Sequence, residues 1–364
     1  MFAKKNLVAA AALLALAGAA QAQVKLYGMV DMSVGSFENA HIKGDKTRVT
    51  AVESGKMMTS YIGLSGSEDL GGGLKAEFAL ESFLAGDTGS NLANLAGGFW
   101  GRGSFLALSG GFGKVAVGQY DNPLFTYGYT YNPFGSSMAF SPTMRHYYGS
   151  LGKDVTAPTD DLGALFGFDT GFVNSVTYET PTMGGFMMTV QFAPKESTTD
   201  GTKNSYALAA AYNAGPFSAA LTYTKAGITD ANTAYKTDQK VWALGTSYDF
   251  GVAKAFAQYS TIKIDGVATT DADGKVTGID SFADEEKFKV WQLGVSVPVT
   301  DKASVMASYG KLKLSGEDFS DKIFSLGYNY MLSKRTDVYG VFSTNSQTGK
   351  DSGQTFAVGI RHNF

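Results

Sequence analysis

This sequence predicts an all-β chain closed into a transmembrane, antiparallel, up-and-down β-barrel of 16 strands, and three observations carry the prediction. Segment after segment from Val24 to the terminal Phe364 alternates apolar residues with polar or small ones, the period of a strand with one apolar face. The 364 residues include 45 Gly, 19 Tyr and 25 Phe but only 8 Pro and no Cys, and 17% are charged, against ~25% in soluble domains. No apolar run beyond the amino terminus approaches the ~20 residues of a membrane-spanning helix. A mean hydropathy of −0.06 still suits a membrane barrel, whose apolar residues hide at every second position.

Residues 1–22 read as a secretory signal: Lys4 and Lys5, an apolar core from Leu7 to Ala17, then Ala20-Gln21-Ala22 as a small-x-small cleavage site. The mature barrel is then 23–364. Without Lys4 and Lys5 it carries 28 basic and 33 acidic residues, a net charge of about −5, which argues against nucleic acid as a partner. An exported chain without cysteine has no disulfide framework and relies on backbone ladders and packing.

The first strand, Val24–Val34, places Val24, Leu26, Val30, Met32 and Val34 on one face and Lys25, Tyr27, Met29, Asp31 and Ser33 on the other. A Lys facing lipid at mid-membrane costs ~2–4 kcal/mol, so Lys25 and Asp31 are assigned to a lumen. Further strands are expected at Ser60–Gly66, Leu74–Ser82, Arg102–Ser109 and Lys114–Gln119, with tight turns Glu68–Gly73 and Gly110–Gly113 between partners. The rhythm continues through Asn174–Thr180, Phe186–Phe192, Ser205–Tyr212, Phe217–Thr224, Lys240–Phe250 and Val252–Thr261. Lys289–Val297, Ala303–Lys311, Lys322–Tyr330, Arg335–Ser343 and Gln354–Phe364 complete it. Seven short turns alternate with eight longer connections, centred near residues 46, 91, 146, 198, 232, 274, 317 and 348. Such alternation describes a meander whose last strand closes on its first and leaves no unpaired edge in the bilayer. Tyr206, Tyr212, Tyr223, Tyr248, Tyr309, Tyr328 and Tyr330 sit near strand ends, as interfacial girdles require.

Local motifs add little catalytic chemistry. Gly71-x-Gly73 followed by Ala76 is a fragment of a dinucleotide fingerprint, but it opens a strand and reads as a turn. Asp271, Asp273, Gly274 and Asp280 stand at four calcium-loop positions, with Thr269 where the first Asp belongs. An Asp-Gly turn in an acidic loop is the alternative account. Three histidines, His41, His146 and His362, with no Cys, no Gly-x-Ser-x-Gly and no His-Glu-x-x-His, assemble no nucleophile and base, so no enzyme and no cofactor are expected.

The run Arg102-Gly103-Ser104-Phe105-Leu106-Ala107-Leu108, the turn Gly110–Gly113 and Gly118-Gln119-Tyr120-Asp121 resemble the trimeric general porins of Gram-negative outer membranes. So do Gly66–Gly71, Ser333-Lys334-Arg335-Thr336 and the terminal Phe364, and Leu26-Tyr27-Gly28-Met29-Val30-Asp31 resembles the Leu-Tyr-Gly-x-Val-Asp branch. The resemblance implies a homotrimer of water-filled barrels in outer-membrane lipid and lipopolysaccharide, passing small hydrophilic solutes and ions. It also implies a long third loop folded into the lumen. Tyr120 to Val173 has the length for such a loop, and Asn132-Pro133-Phe134-Gly135 resembles its tip, with Asn132 where the family carries an acid. Phe364 is then the signal read by the barrel insertion machinery.

On the wall, only Arg102 keeps a basic residue of the family's eyelet; Tyr61 and Ser65 replace others, and Gly171-Phe172-Val173 lacks an arginine. The expected constriction is Arg102, Tyr61, Ser65, Asn132, Tyr127, Tyr129, Tyr131 and Arg145. Arg145, His146, Lys25, Glu77 and Arg361 are candidates to restore charge. Both halves of the transverse field weaken, so weak ion selectivity is expected. The alternative function is a solute-specific channel, for a sugar or peptide, with an aromatic eyelet. Family geometry further assigns Gly103, Phe105, Ala107 and Ser109 to the outward, subunit-contact side, with Leu106 and Leu108 inside.

Overall fold

The computed structural model describes residues 24–41, 43–45, 47–91, 98–148, 170–196, 203–229, 236–264, 267–270, 276–280 and 286–364. The expected signal segment lies outside these residues. The strands are β1 Lys25–Phe37, β2 Val49–Ser54, β3 Tyr61–Gly71, β4 Leu74–Ala85, β5 Ser90–Asn91, β6 Gly103–Gly110, β7 Gly113–Asp121, β8 Gly171–Glu179, β9 Phe186–Ala193 and β10 Ser205–Ala214. They continue as β11 Phe217–Thr229, β12 Lys236–Asp249, β13 Lys254–Ile264, β14 Val267–Thr270, β15 Val276–Asp280, β16 Glu286–Thr300, β17 Ala303–Leu314, β18 Ser320–Met331, β19 Thr336–Gln347 and β20 Gly353–Asn363. Two helices, α1 Pro123–Thr130 and α2 Pro142–Tyr148, lie between β7 and β8.

Each barrel strand pairs antiparallel with its neighbours, and the ring closes where β1 meets β20, from Met29 opposite Asn363 to Ser36 opposite Phe356. β2 and β3 are two halves of one barrel strand, both paired with β1. The small β5 extends β4 only, and β14 with β15 forms a separate hairpin, leaving the sixteen wall strands the periodicity predicts. The turn at Gly71, Gly72 and Gly73 has φ of 84°, 63° and 82°, which glycine alone adopts cheaply.

Most strands run further toward the long loops than alternation indicates: β12 starts at Lys236 and β16 at Glu286. The added residues keep their ladders but break the expected facing, because several inward ones, such as Ile262, Phe288 and Leu312, are apolar. Sequence patterning missed β2 for a related reason. Its six residues, Val-Thr-Ala-Val-Glu-Ser, are separated from β3 by a break, so no continuous strand of normal length is readable there.

The parity of β6 is opposite to the family-based assignment. Leu106 and Leu108 are exposed on the outer surface. Phe105 packs edge-on against Tyr120 at 4.8 Å, and Ser109 hydrogen-bonds Glu77, which places the Phe105 and Ser109 face inside. Elementary costs decide it: leucines suit lipid, and the Glu77 and Lys114 of the neighbouring strands have to be paired away from it. Elsewhere the outer face carries Leu208, Leu221, Leu244, Leu293 and Leu326, all exposed. Two aromatic belts edge it: Tyr206, Tyr223 and Trp242 in contact toward the loop side, and Phe186, Tyr212 and Phe217 toward the turn side.

The opposite parity is polar over much of the wall, with Gln258, Ser260, Gln292, Ser308, Ser325 and Ser343. Val241, Ile262, Phe288, Val290 and Leu312 interrupt this pattern, and they form one cluster with Leu124 of α1 and Tyr147 of α2. Those inward apolar residues exist because the helices cover them; burying each such side chain is worth roughly 1.5–3 kcal/mol.

Candidate pore constriction

The segment between β7 and β8 is fixed from its first residue. Asn122 caps α1 by accepting the Leu124 amide at 2.9 Å and donates to Gln191 on the inward face of β9 at 3.0 Å. Pro123 occupies the first helical turn, where its missing N–H costs nothing. From there the segment crosses the inward faces of β11 to β18. The Tyr131 hydroxyl is 2.8 Å from Ser218 Oγ, Gln258 donates to the carbonyls of Gly128 and Tyr131 at 3.0 and 2.9 Å, and the Thr143 amide donates to Gln292 at 2.7 Å.

Four inward wall glycines form the bed for this crossing. A Cβ at Gly245, Gly294, Gly310 or Gly327 would lie 2.2, 2.6, 2.5 or 2.8 Å from Tyr131, Pro133, Pro142 or Phe134 respectively. No side chain fits there. These glycines, one on each of β12, β16, β17 and β18, were the readable sign of a covered inner wall, and periodicity alone treats them as neutral.

The far end of the segment is held by a buried polar pair, His146 Nε2 with Asp321 at 3.0 Å, and Asn345 donates to the other Asp321 oxygen at 2.8 Å. Arg145 donates to Asn39 at 2.7 Å, and burial pushes its guanidinium pKa downward while Asp321 opposes that shift.

On the opposite wall, Arg102 forms an ion pair with Glu81 and lies over the Tyr61 ring, 3.9 Å from its centroid. Tyr27 donates to Glu81 as well and packs edge-on to Tyr61 at 6.1 Å. Ser65 faces inward on β3, opposite Lys25 on β1 and Ala79 on β4. The loop's Tyr129 senses this wall: burial raises its pKa, Asp121 raises it further and Arg102 lowers it. Tyr127 stacks on Tyr131 at 6.1 Å, and burial pushes its phenol up to about 12.

The structure thus brings Arg102, Tyr61, Ser65 and Tyr129 to the inner surface, with Tyr127 half-buried against Tyr131. Two expected lining residues are placed otherwise. Tyr131 is buried against Gly245. Asn132 is 4% exposed and turned into its own loop, donating to the carbonyls of Gly128, Tyr129 and Gly135 and accepting from the Phe134 amide at 2.9 Å. A short polar residue here shapes a turn and presents no group to passing ions.

Sequence reading missed Glu81, because an inward acid on β4 is unremarkable until Arg102 is seen against it. Three of the candidates for added charge are paired: Glu77 with Lys114 at 2.8 Å, Arg361 with Asp337 at 2.9 Å, and His146 with Asp321. Asp271 and Asp273 lie outside the described residues. Their flanks, β14 and β15, pair with Thr269 opposite Gly278 and Val267 opposite Asp280.

The family profile described as Gram-negative porin matches residues 9–350. The chain is 34% identical to an outer membrane porin protein of Delftia acidovorans, over 99% of this chain and all of that protein. It is 30% identical to an outer membrane porin protein of Bordetella pertussis at the same coverage. Among solved structures, an anion-selective porin from Comamonas acidovorans superposes with a TM-score of 0.73 at 29% identity, covering 94% of this chain and all of that one.

Proposed function

The chain belongs to the Gram-negative porins, outer-membrane channels for passive diffusion, and we propose that it is a weakly ion-selective pore for small hydrophilic solutes, narrowed by its third loop. The observation that carries the reading is the internal pairing of constriction charge. Arg102, the one basic eyelet residue retained, is matched by Glu81 from the adjacent strand. A fixed charge in a narrow passage shifts local ion concentrations, whereas a close ion pair presents only a short-range dipole. The Comamonas acidovorans structure is named anion-selective; in this chain the Glu81 counter-charge limits any such preference of Arg102.

The aromatic arrangement supports general diffusion over a solute-specific eyelet. A sugar-binding wall needs open ring faces, but Tyr61 is covered by the Arg102 guanidinium, and Tyr131 is buried. Assembly as a homotrimer follows the general form of the family, with the outward aliphatic residues Leu106, Leu108 and Val117 available to lipid or a neighbouring subunit. Export through cleavage after residue 22 completes the proposal. Planar-bilayer recording tests it: discrete ohmic steps with little ion preference and no block by sugars or peptides support it, and saturable block by one solute class supports the specific alternative.

A further inference from the structure

The Asp of the Leu-Tyr-Gly-x-Val-Asp stretch is fully buried in the wall, and its partners describe a device. Between the β1–β3 and β1–β2 ladders, the six residues 55–60 stand opposite only Val30 and Asp31. That is far more than the single extra residue of an ordinary bulge. Such an insertion has to be held, and Asp31 holds it from every side. Its Oδ2 accepts the amides of Met57 and Met58 at 2.7 and 2.9 Å, and Tyr339 donates to Oδ1 at 2.8 Å. Its carbonyl accepts from the Gly55 amide at 3.0 Å, and its own amide donates to Ser60 Oγ at 2.9 Å. Gly55 has φ 73°, which the turn requires.

The tip of the third loop rests on this insertion. Ser137, itself buried, donates to the Lys56 carbonyl at 2.7 Å and caps the turn by accepting the Phe140 amide at 2.8 Å. Met57 is 2% exposed and clusters with Phe134 and Phe140 of the tip and with Tyr339 of β19. Tyr339 therefore joins both halves, one end in the tip cluster and its hydroxyl on Asp31.

We propose that Asp31 is a positioning residue for the constriction: its carboxylate folds residues 55–60 into a seat, and the seat fixes the loop tip. An Asn at this position could accept the two amides only by turning its NH2 to Tyr339, which reverses that hydrogen bond, and it loses the charge, a charge-assisted acceptor being roughly twice as strong as a neutral one. The proposal rests on reading the third loop as the constriction, so its test separates the two ideas.

Single-channel conductance and open-channel noise are recorded for Asp31→Asn, Ser137→Ala, the double variant and Thr130→Cys, with heat-modifiable mobility on gels confirming folded barrels. Asp31→Asn and Ser137→Ala are each expected to lose the single wild-type level in favour of a larger, noisier one. The double variant should behave no worse than the worse single one, because both act on one seat. Thr130 is exposed on α1 and the chain has no other cysteine, so a charged thiol reagent on Thr130→Cys should reduce current. Unchanged conductance in folded Asp31→Asn and Ser137→Ala, with current still reduced by labelling, overturns the role of Asp31 alone. No effect of labelling overturns the loop reading itself. If Asp31→Asn fails to fold, Ser137→Ala decides, since it removes the loop-to-seat bond and leaves the Asp31 network whole.

Discussion

Glu81→Gln isolates the charge at the constriction with almost no change of shape. The glutamine amide can still accept from Tyr27, and Arg102 can keep its place over Tyr61 at 3.9 Å, but the guanidinium loses its counter-charge. At roughly 5 Å from a permeating ion, an uncompensated unit charge in water contributes about 0.8 kcal/mol, and a pair with centres ~3 Å apart about 0.3 kcal/mol. The difference, about 0.5 kcal/mol, raises anions and lowers cations roughly twofold each, so the permeability ratio moves about fivefold toward anions. In a roughly tenfold KCl gradient at about 0.1 M mean salt that is a reversal-potential shift of about 30 mV, little screened because the Debye length is ~10 Å. The assay is the reversal potential of wild type and Glu81→Gln side by side in planar bilayers. A shift below a few millivolts, or one toward cations, refutes the reasoning that the Arg102–Glu81 pair cancels the field.

Three further outcomes are expected. Asn132→Glu should disturb the loop instead of adding cation preference, because it removes donations to three carbonyls and sets a carboxylate against them, at about 1–3 kcal/mol for each buried group left unmatched; a clean cation shift at unchanged conductance contradicts this. Leu106→Arg should lower the folded fraction in detergent or lipid refolding by ~2–4 kcal/mol if it meets lipid near mid-membrane, and a wild-type unfolding midpoint contradicts the outward assignment. Deleting Phe364 removes the paired backbone bonds with Gly28 at 3.1 and 3.4 Å and the ring against it, so heat-modifiable folded protein should fall sharply in outer-membrane fractions; a normal yield there contradicts a role in assembly.

Much of the wall was legible because a strand's period forces its residues onto two faces. The closing strand, the tight turns and the inward Asp31 follow from alternation and the cost of charge in lipid. Legibility failed where a second layer covers the lumen. Val241, Ile262 and Phe288 face inward yet are apolar, since α1 and α2 pack on them, and the wall glycines that make room for loop side chains are neutral to alternation. It failed again at residues 49–60, where the short β2 and an insertion precede β3 along the same partner strand. The constriction was half legible. Arg102 and Tyr61 meet on the inward side of the wall, but whether a charge acts on ions depends on its partner, and Glu81 lies 21 positions away on another strand. Asn132 reads as a lost acid, although its side chain is consumed by four backbone groups of its own turn.

The reversal potential of the wild-type pore in a salt gradient tests the central claim most directly. Paired charge at Arg102 and Glu81 predicts at most about 20 mV in a roughly tenfold gradient, smaller than the shift produced by Glu81→Gln and only weakly dependent on ionic strength. A wild-type potential close to the Nernst value of either ion, growing as salt is lowered, would contradict it.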